Sequence, residues 1–323
     1  MNMTIVGLDV GGANFKSCDS DGRVYFKYHP LWVEKSVKSV LETVKEMYSP
    51  DYVGVVITGE LSDIFNSKKE GIKQIADEIN RVFKETFFYG SDGKFHSRIS
   101  DPELFFSPNW LASANYLAKF YPDSVFVDVG STTTDIIPIL NGQILAEKND
   151  FDRLKRGELI YVGALRTSLS FLLPAVHLDM PVPTAFEYFS NIADALMVTE
   201  DIKEEDYSCE TPDGRGKSKE ECFRRIARTV CCDLEELGRE NAEKIAIQAK
   251  NKLVEIIKDG IERIARKYSL KTVIGAGVGE FLIENATEAL RLEYISIGSK
   301  FGRDVSKVFP AFATAKLLQE YLE

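Results

Sequence analysis

The spacing of apolar and polar residues in the first third of the chain predicts strands by period-two alternation and helices by apolar residues three and four apart. The order is three strands, a helix, a buried strand, a second helix, a β-rich stretch and a further helix. The strands are expected at residues 4–10, 13–18, 23–28 and 52–58, the β-rich stretch at 87–99, and the helices at 33–48, about 72–82 and 110–120. This alternation predicts an α/β lobe.

A second lobe begins with a new strand at residue 124, so the chain is predicted to divide into residues 1–122 and 123–323. The strand VFVDVG is followed by a partner strand, TTTDIIPIL. An Asn-Gly turn comes next, and the segment ILAEK after it is predicted to be a third strand.

The middle of the second lobe is mostly helical in pattern and predicts an insertion at about residues 150–268. A polar, charge-rich segment near residues 200–220 is expected to be an exposed loop. A long helix is predicted at 241–268, and a last strand at 272–281 runs into three glycines before another helix.

Both lobes begin with the same pattern, GLDVGGANFK at residues 7–16 and VDVGSTTTDI at residues 127–136. Each copy has an apolar strand, an Asp and a turn of small residues, which predicts a tight β-hairpin. Turns without bulky side chains let backbone N–H groups approach phosphate oxygens. One copy would be an ordinary surface turn, but two copies about one domain apart favour two facing phosphate loops. The residues expected to bind phosphate are Gly11, Gly12, Asn14, Gly130, Ser131, Thr132 and Thr133.

An acidic residue ends the first strand of each hairpin, Asp9 in one and Asp128 in the other. A carboxylate alone would repel phosphate. A hard cation such as Mg²⁺ between the carboxylates and the phosphate would offset this repulsion. We therefore expect Asp9 and Asp128 to be metal ligands, directly or through water.

A glycine-rich turn after the last strand contains Gly275, Gly277 and Gly279. Such a turn suits the approach of a nucleotide or phosphate to a helix N-terminus. It also serves plain packing of a helix on a sheet, so alone it is weak evidence. Its position after two hairpins favours the cofactor-binding interpretation.

Composition narrows the function classes. With 323 residues, 44% hydrophobic and 28% charged, the chain is globular in type, and its net charge of −10 argues against a nucleic-acid surface. No apolar run reaches the 18 residues or so that a membrane span needs, and no leader precedes the first strand, so a cytoplasmic protein is expected. The five cysteines and three histidines indicate neither a disulfide framework nor a zinc site. The expected partners are small molecules, and the oligomeric state stays open, with a homodimer as one option.

Three segments in this order, GLDVGGANFK, VDVGSTTTDI and VIGAGVGEF, resemble the phosphate-1, phosphate-2 and adenosine motifs of the actin, hexokinase and Hsp70 ATPase-like superfamily. The resemblance implies a two-lobed actin-like ATPase fold, a duplicated α/β domain of ribonuclease H-like type, with the site in the interlobe cleft. It also implies a phosphate-contacting role for Lys16, seven residues after Asp9. The residue seven positions after Asp128 is Asp135, so the second hairpin has an acidic residue where the first has a lysine.

A narrower resemblance rests on ITGELSD, PNWLASA, DVGSTTTDIIPI and RGELIYVGALRT, which look like an archaeal hydantoinase-like and sugar-kinase-like family. DVGSTTTD is also similar to a segment of the hydantoinase and oxoprolinase A-type subunits. The archaeal branch includes a methanofuran-biosynthesis transferase. The resemblance implies that an aminomethylfuran-methyl diphosphate is joined to γ-glutamyltyramine, with Mg²⁺, with release of diphosphate and without ATP hydrolysis.

That reaction would place negative charge on the leaving diphosphate and would require a base for the phenol of the acceptor. Asp9, Lys16, Asp128 and Asp135 could stabilise the leaving group with the metal. Candidate bases are Glu60, Asp63 and Asp135, and Arg153, Arg156 and Arg166 could bind substrate carboxylates or phosphate oxygens. Glu60 or Asp63 could instead cap the next helix, and the run DFDRLKRGE could be a solvated face.

Three other functions use the same segments. An ATP-dependent small-molecule kinase would use the hairpins and Gly275, Gly277 and Gly279 for its nucleotide. A hydantoinase-like or oxoprolinase-like ATP-dependent enzyme is the second. A nucleotide-dependent regulator without catalytic activity is the third, and the chain shows no appended peptide-binding or DNA-binding domain that would support it.

Overall fold

The first lobe is built on a six-stranded sheet in the order β3-β2-β1-β4-β5-β6, seen in a computed structural model that describes residues 3–323. Strand β1 pairs antiparallel with β2 and parallel with β4, so Asp9 lies opposite Lys16 across the hairpin. Because β1 and β4 are buried on both faces, they are apolar almost throughout. The strands are β1 Ile5–Gly11, β2 Asn14–Asp19, β3 Val24–Tyr28, β4 Tyr52–Thr58, β5 Thr86–Tyr89 and β6 Phe95–His96.

Helices cover both faces of this sheet and form two apolar cores with it. The predicted single helix at 33–48 is wrong, because the chain breaks at Lys35, whose φ is 60°. Glu78 accepts hydrogen bonds from Ser36 Oγ (2.7 Å) and Val37 N (2.8 Å), which stabilise the non-helical segment between the two helices. The helices are α1 Leu31–Glu34, α2 Lys38–Tyr48, α3 Lys68–Val82 and α4 Asn109–Ala118, with a 3₁₀ turn at Pro102–Phe105.

The second lobe has a sheet in the order β10-β8-β7-β13-β14, with the short β9 beside β8. Its hairpin places Asp128 opposite Asp135, the counterpart of the Asp9–Lys16 pair. The predicted third strand ILAEK is wrong beyond Ile144, because the chain turns away and Glu147 N donates to the Glu158 carboxylate. The strands are β7 Ser124–Val129, β8 Thr134–Leu140, β9 Gln143–Ile144, β10 Leu159–Ile160, β13 Thr272–Ala276 and β14 Glu293–Ser296.

The insertion between β8 and β13 is mostly helical, as predicted, and its charge-rich segment near residues 200–220 is a loop that is exposed in large part but anchored by a few buried residues. Tyr207 is fully buried, and its hydroxyl donates to Asn191 and Asp194. Asp206 is buried by ion pairs with Arg303 and Lys307. The insertion contains α5 Asp150–Arg156, α6 Leu169–Leu172, β11 Ala175–His177, β12 Pro181–Pro183, α7 Ile192–Val198, α8 Lys219–Arg228, α9 Leu234–Leu237 and α10 Arg239–Tyr268.

The last helix returns to the first lobe. A side chain at Gly7 of β1 would meet the Ala311 carbonyl oxygen at 1.9 Å, so the helix lies directly on the strand. Together with α4 it fills the space between the two sheets. The division after residue 122 stays a prediction, and this helix crosses it. The final helices are α11 Glu280–Leu290, α12 Ile297–Phe301, α13 Arg303–Lys307 and α14 Phe309–Leu322. Within residues 3–323 no helix combines the length and apolar character needed to cross a membrane.

Candidate active site between the two hairpins

The two predicted phosphate hairpins face each other across a cleft of about 460 Å³. Asn14 Nδ2 of the first hairpin donates to Ser131 Oγ of the second, at 2.8 Å, and thereby joins the lobes. Asn14 Oδ1 is buried without a hydrogen-bond partner. The cleft is lined by all seven of the predicted phosphate-binding residues: Gly11, Gly12, Asn14, Gly130, Ser131, Thr132 and Thr133.

Lys16 forms the cationic centre of the cleft. Its Nζ lies 3.1 Å from Asp9 Oδ2, and Thr58 Oγ1 donates to Asp9 Oδ1 at 3.1 Å. Burial by itself would lower the pKa of Lys16, but Asp9, Asp128 and Asp135 outweigh it and the pKa is raised. The lysine therefore stays charged at neutral pH.

Two buried carboxylates of the second hairpin act electrostatically on Lys16: Asp135, which lines the cleft, and Asp128, which does not line it. Burial raises the pKa of Asp128 to about 7, and Asp135, Asp9 and Glu280 add to the shift against the opposing effect of Lys16. Burial also raises the pKa of Asp135, although Arg153 opposes it. The negative charge at the bottom of the cleft is therefore incompletely compensated by the protein's own cations.

Arg153 is buried and holds the second hairpin to α5, so it is not part of a solvated face. Its NH2 lies 2.5 Å from Asp135 Oδ1 and its NH1 3.1 Å from Asp150 Oδ1. The guanidinium also lies over the ring of Trp110, 4.3 Å from the centroid. It lines the cleft, but its main contacts are internal.

Arg156 lies outside the cleft, contrary to its predicted role in substrate binding. Its side chain is exposed and pairs with Glu147 at 3.2 Å, on the loop before α5. That surface contact draws the guanidinium away from the hairpins.

Arg166 bridges the two lobes at the cleft. Its NH1 donates to Thr132 Oγ1 at 3.2 Å, and its guanidinium lies 4.9 Å from the ring centroid of Trp32 in the first lobe. The preceding Gly163 allows this approach, since a Cβ there would lie 2.5 Å from Thr132 N. Arg166 and Trp32 therefore both line the cleft, and the contact of Arg166 with a substrate stays a prediction.

Glu60 and Asp63 differ in position. Glu60 is buried behind the cleft surface, where Ser107 Oγ donates to its Oε1 at 2.8 Å, and burial raises its pKa to about 7. Asp63 is exposed and lines the cleft. The alternative role as helix caps is wrong for both, because α3 begins at Lys68 and Ser67 is its cap.

Gly275, Gly277 and Gly279 do not line the cleft, although Val278 lines an adjoining cavity that shares Asn14, Lys16, Gly130 and Ser131 with it, and their role in binding a cofactor stays a prediction. A Cβ at Gly275 would lie 2.5 Å from the Tyr294 hydroxyl, one at Gly277 would lie 2.3 Å from the Val129 carbonyl oxygen, and one at Gly279 would meet the Val129 side chain at 2.4 Å. All three glycines are thus required by internal packing. Tyr294 lies on β14, the strand that pairs with β13, so the pattern of β13 alone does not predict this contact.

Several residues at the cleft were not predicted, and most carry no local signal of chemistry. Asp150, in the charged run before β10, lines the cleft. An acidic residue in that run could have been proposed as a site residue from the sequence. Ser107 precedes a proline and has a φ of 48°, which sequence does not show. The remaining ones are Ala13, Trp32, Thr58, Leu61, Ser62, Asn109, Leu159 and Tyr161.

No cluster of three or more His, Cys, Asp or Glu side chains with metal-binding geometry occurs within residues 3–323. The carboxylates of the cleft are instead distributed over both hairpins. This arrangement suits a cation that takes its remaining ligands from a bound phosphate and water.

Two sheets that each open with a small-residue hairpin, facing each other across a cleft, define the actin-like ATPase fold, as predicted. A ROK family glucokinase from Streptomyces griseus, solved with glucose and AMPPNP, has this architecture, with a TM-score of 0.50, 12% identity and coverage of 98% of this chain and 99% of the other. Acetone carboxylase in its nucleotide-free structure gives a TM-score of 0.52 at 11% identity over 94% of this chain and 51% of that chain.

The family follows from sequence. Residues 51–321 match the hydantoinase/oxoprolinase family. A protein of Methanocaldococcus jannaschii, (4-{4-[2-(gamma-L-glutamylamino)ethyl]phenoxymethyl}furan-2-yl)methanamine synthase, is 38% identical over 100% of both chains. The protein of that name from Methanococcus vannielii is 38% identical over 61% of this chain and 91% of its own length. The chain belongs to this synthase family within the hydantoinase/oxoprolinase group, which confirms the predicted resemblance.

Proposed function

We propose that this chain is a transferase that forms the aryl ether bond of the compound named in its relatives. That compound contains a phenoxymethyl link between a phenol, extended by a γ-glutamylaminoethyl chain, and a furan that carries an aminomethyl group. The ether is the bond at which the two halves meet. We infer that γ-glutamyltyramine supplies the phenol and that an aminomethylfuran-methyl diphosphate supplies the carbon, as a step of methanofuran biosynthesis.

The paired hairpins support diphosphate as the leaving group. Small residues line the cleft on both sides and leave room for a phosphate to approach the backbone, and Lys16 lines the same cleft with its charge retained. Backbone donors and a fixed cation stabilise charge that develops on a leaving oxygen. Lys16 would thus hold the diphosphate while Asn14 and Ser131 set the separation of the hairpins.

Mg²⁺ fits the carboxylates of the cleft. Asp9 and Asp128 end the strands that lead into the two hairpins, and with Asp135 they outnumber the Lys16 and Arg153 cations. A divalent ion there would be held by Asp9 and Asp128 and completed by phosphate oxygens and water, as Mg²⁺ sites commonly are. When bound, it would neutralise part of the charge of the diphosphate.

The reaction balances without an oxidant or a nucleotide. The phenol oxygen forms a bond to the furanylmethyl carbon, and the bond from that carbon to the diphosphate oxygen breaks. The electron pair leaves with the diphosphate, and the phenol proton passes to a base. Positive charge on the carbon is shared with the electron-rich furan ring, so stabilising the leaving group is the main requirement.

The observation that carries this proposal is full-length similarity to the Methanocaldococcus jannaschii synthase in a chain whose hairpins face each other across one cleft. An ATP-dependent kinase is the competing function for this fold. The names of the two relatives favour the transferase over it, because both are synthases of the phenoxymethyl compound.

The test is product analysis with purified protein. With Mg²⁺, the furan diphosphate and γ-glutamyltyramine, mass spectrometry should detect the ether, with one diphosphate released for each ether formed. Parallel reactions with ATP and the acceptor alone should give no ADP above background. Phosphorylated acceptor with stoichiometric ADP would replace the transferase with a kinase.

A further inference from the structure

Ser107 lines the cleft and has an unusual backbone conformation. Its φ is 48°, in the left-handed region that residues other than glycine seldom adopt. It lies between the 3₁₀ turn and α4, just before Pro108, and it lines the cleft. Strain of this kind concentrates at functional sites. The conformation directs the serine hydroxyl toward the carboxylate behind it.

That carboxylate belongs to Glu60, which is only 1% exposed. Its Oε1 accepts the hydrogen bond from Ser107 Oγ at 2.8 Å, and its Oε2 is buried with no partner. The backbone of Glu60 is fixed by Gly71 of α3, where a Cβ would lie 2.7 Å from the Glu60 carbonyl oxygen. The charged groups that act on this carboxyl are Lys68 of α3 and Asp150 of α5.

We infer that Ser107 and Glu60 form a proton relay for the acceptor hydroxyl, an inference that rests on the proposed transferase function. As the phenol oxygen bonds to the furanylmethyl carbon, its proton passes to Ser107 Oγ. The serine proton passes at the same time to Glu60 Oε1. Ser107 is the group that touches substrate, and Glu60 acts through it.

The other carboxylates of the cleft are less suited to this role. Asp9 already accepts from Lys16 and Thr58, and Asp135 is held by Arg153. Asp63 is exposed to solvent. Burial raises the pKa of Glu60 to about 7, so this carboxyl can both take and return a proton near neutral pH.

The relay is tested with Glu60→Gln and Ser107→Ala, measured against acceptors whose phenols are made more acidic by ring fluorination. With the natural phenol, kcat should fall by about 10²- to 10⁴-fold in each variant, the range lost with a general base. The loss should shrink as the phenol becomes more acidic or the pH rises, because an ionised phenol needs no base. Ser107→Gly, which accepts a positive φ, replaces the alanine variant if that variant does not fold.

Glu70→Gln is the matched control, since it removes a carboxylate from the first turn of α3 that bonds only to Asn66 and Gln74. Its kcat should equal that of wild type. Variants at Glu60 and Ser107 that keep kcat within about twofold, or lose it equally for every phenol and pH, would overturn the relay while wild type still makes the ether. A wild-type protein that forms no ether would overturn the proposed function and the relay together.

Discussion

Individual side chains in the cleft are governed by the balance between buried carboxylates and a few fixed cations. Lys16 and Asp9 form a direct pair, while Asp128 has no cation of its own at hydrogen-bond distance. Arg153 serves Asp135 and Asp150. Removing each of these charges is therefore expected to have its own effect on activity or stability.

Replacing Lys16 with Met should lower kcat by about 10²- to 10³-fold, the loss typical of a donor that stabilises developing negative charge. KM for the diphosphate should rise less, because the contact strengthens as the leaving group gains charge. Steady-state kinetics check this. Lys27→Met, on the exposed strand β3 of the same sheet, should leave both constants unchanged. Normal kinetics in a folded Lys16→Met protein would show that Lys16 does not stabilise the leaving diphosphate and that the metal does so without it.

Asp128→Asn should keep the fold and reduce turnover strongly at every Mg²⁺ concentration, and Asp9→Asn should do the same, since both carboxylates are proposed to hold the cation. Loss of one such group costs several kcal/mol of transition-state stabilisation. A Mg²⁺ titration of activity is the measurement, with Asp21→Asn in an exposed turn as the control. Near-normal rates for both variants at saturating Mg²⁺ would contradict the two-hairpin metal site.

Glu60 also makes the stability of the protein depend on pH. Its pKa in the folded protein is about 7, above its ordinary value. The stability from this group is fully present below its unfolded pKa, about 4.3, and is lost as the pH rises through about 7. Glu60→Gln cannot ionise, so its Tm relative to wild type should increase between about pH 4 and pH 8. A constant Tm difference across that range would show that burial does not perturb this carboxyl.

Among the structural elements, the packing of α14 on β1 is the tightest helix–strand contact of the first lobe. Gly7→Ala should lower Tm markedly, because its Cβ would meet the Ala311 carbonyl oxygen at 1.9 Å and backbone atoms cannot move aside cheaply. Gly12→Ala, whose Cβ would have only Gly59 Cα within 4 Å, at 3.9 Å, is the matched control for stability. Calorimetry that gives the two variants equal Tm values would contradict this packing.

The sequence pattern predicts a strand or helix correctly where residues close together in the chain determine it. The two hairpins and β4 follow from apolar runs and small-residue turns. The break between α1 and α2 does not, since Glu78 comes from another helix. Similarly, the burial of Asp206 within the charge-rich segment near residues 200–220 does not follow from the local pattern, because its partners Arg303 and Lys307 lie far along the chain.

The same distinction applies to the candidate site. The phosphate loops, Asp9 and Lys16 could be predicted because the chain repeats one pattern. Ser107 could not, because its importance lies in a backbone angle and in a partner 47 residues away. Gly275, Gly277 and Gly279 form a nucleotide-like pattern, but the structure packs Gly275 against Tyr294 and the other two against Val129.

For the molecule as a whole, the central feature is one cleft shared by two lobes. Asn14 with Ser131 and Arg166 with Trp32 join the lobes at the cleft, and α14 and α4 join them behind it. The fold is shared with a glucokinase that was solved with AMPPNP, whereas the relatives from the sequence comparison are named as synthases of a phenoxymethyl compound. We therefore propose that hairpins typical of nucleotide enzymes here hold a substrate diphosphate.

The most direct test of this claim is to follow ¹⁸O placed at the phenol of γ-glutamyltyramine, with Mg²⁺ and the furan diphosphate and without nucleotide. The account predicts that all of the label is retained in the ether and that the released diphosphate is unlabelled, in equal molar amount. Label in a phosphate ester, an unlabelled ether, or a requirement for ATP would contradict it.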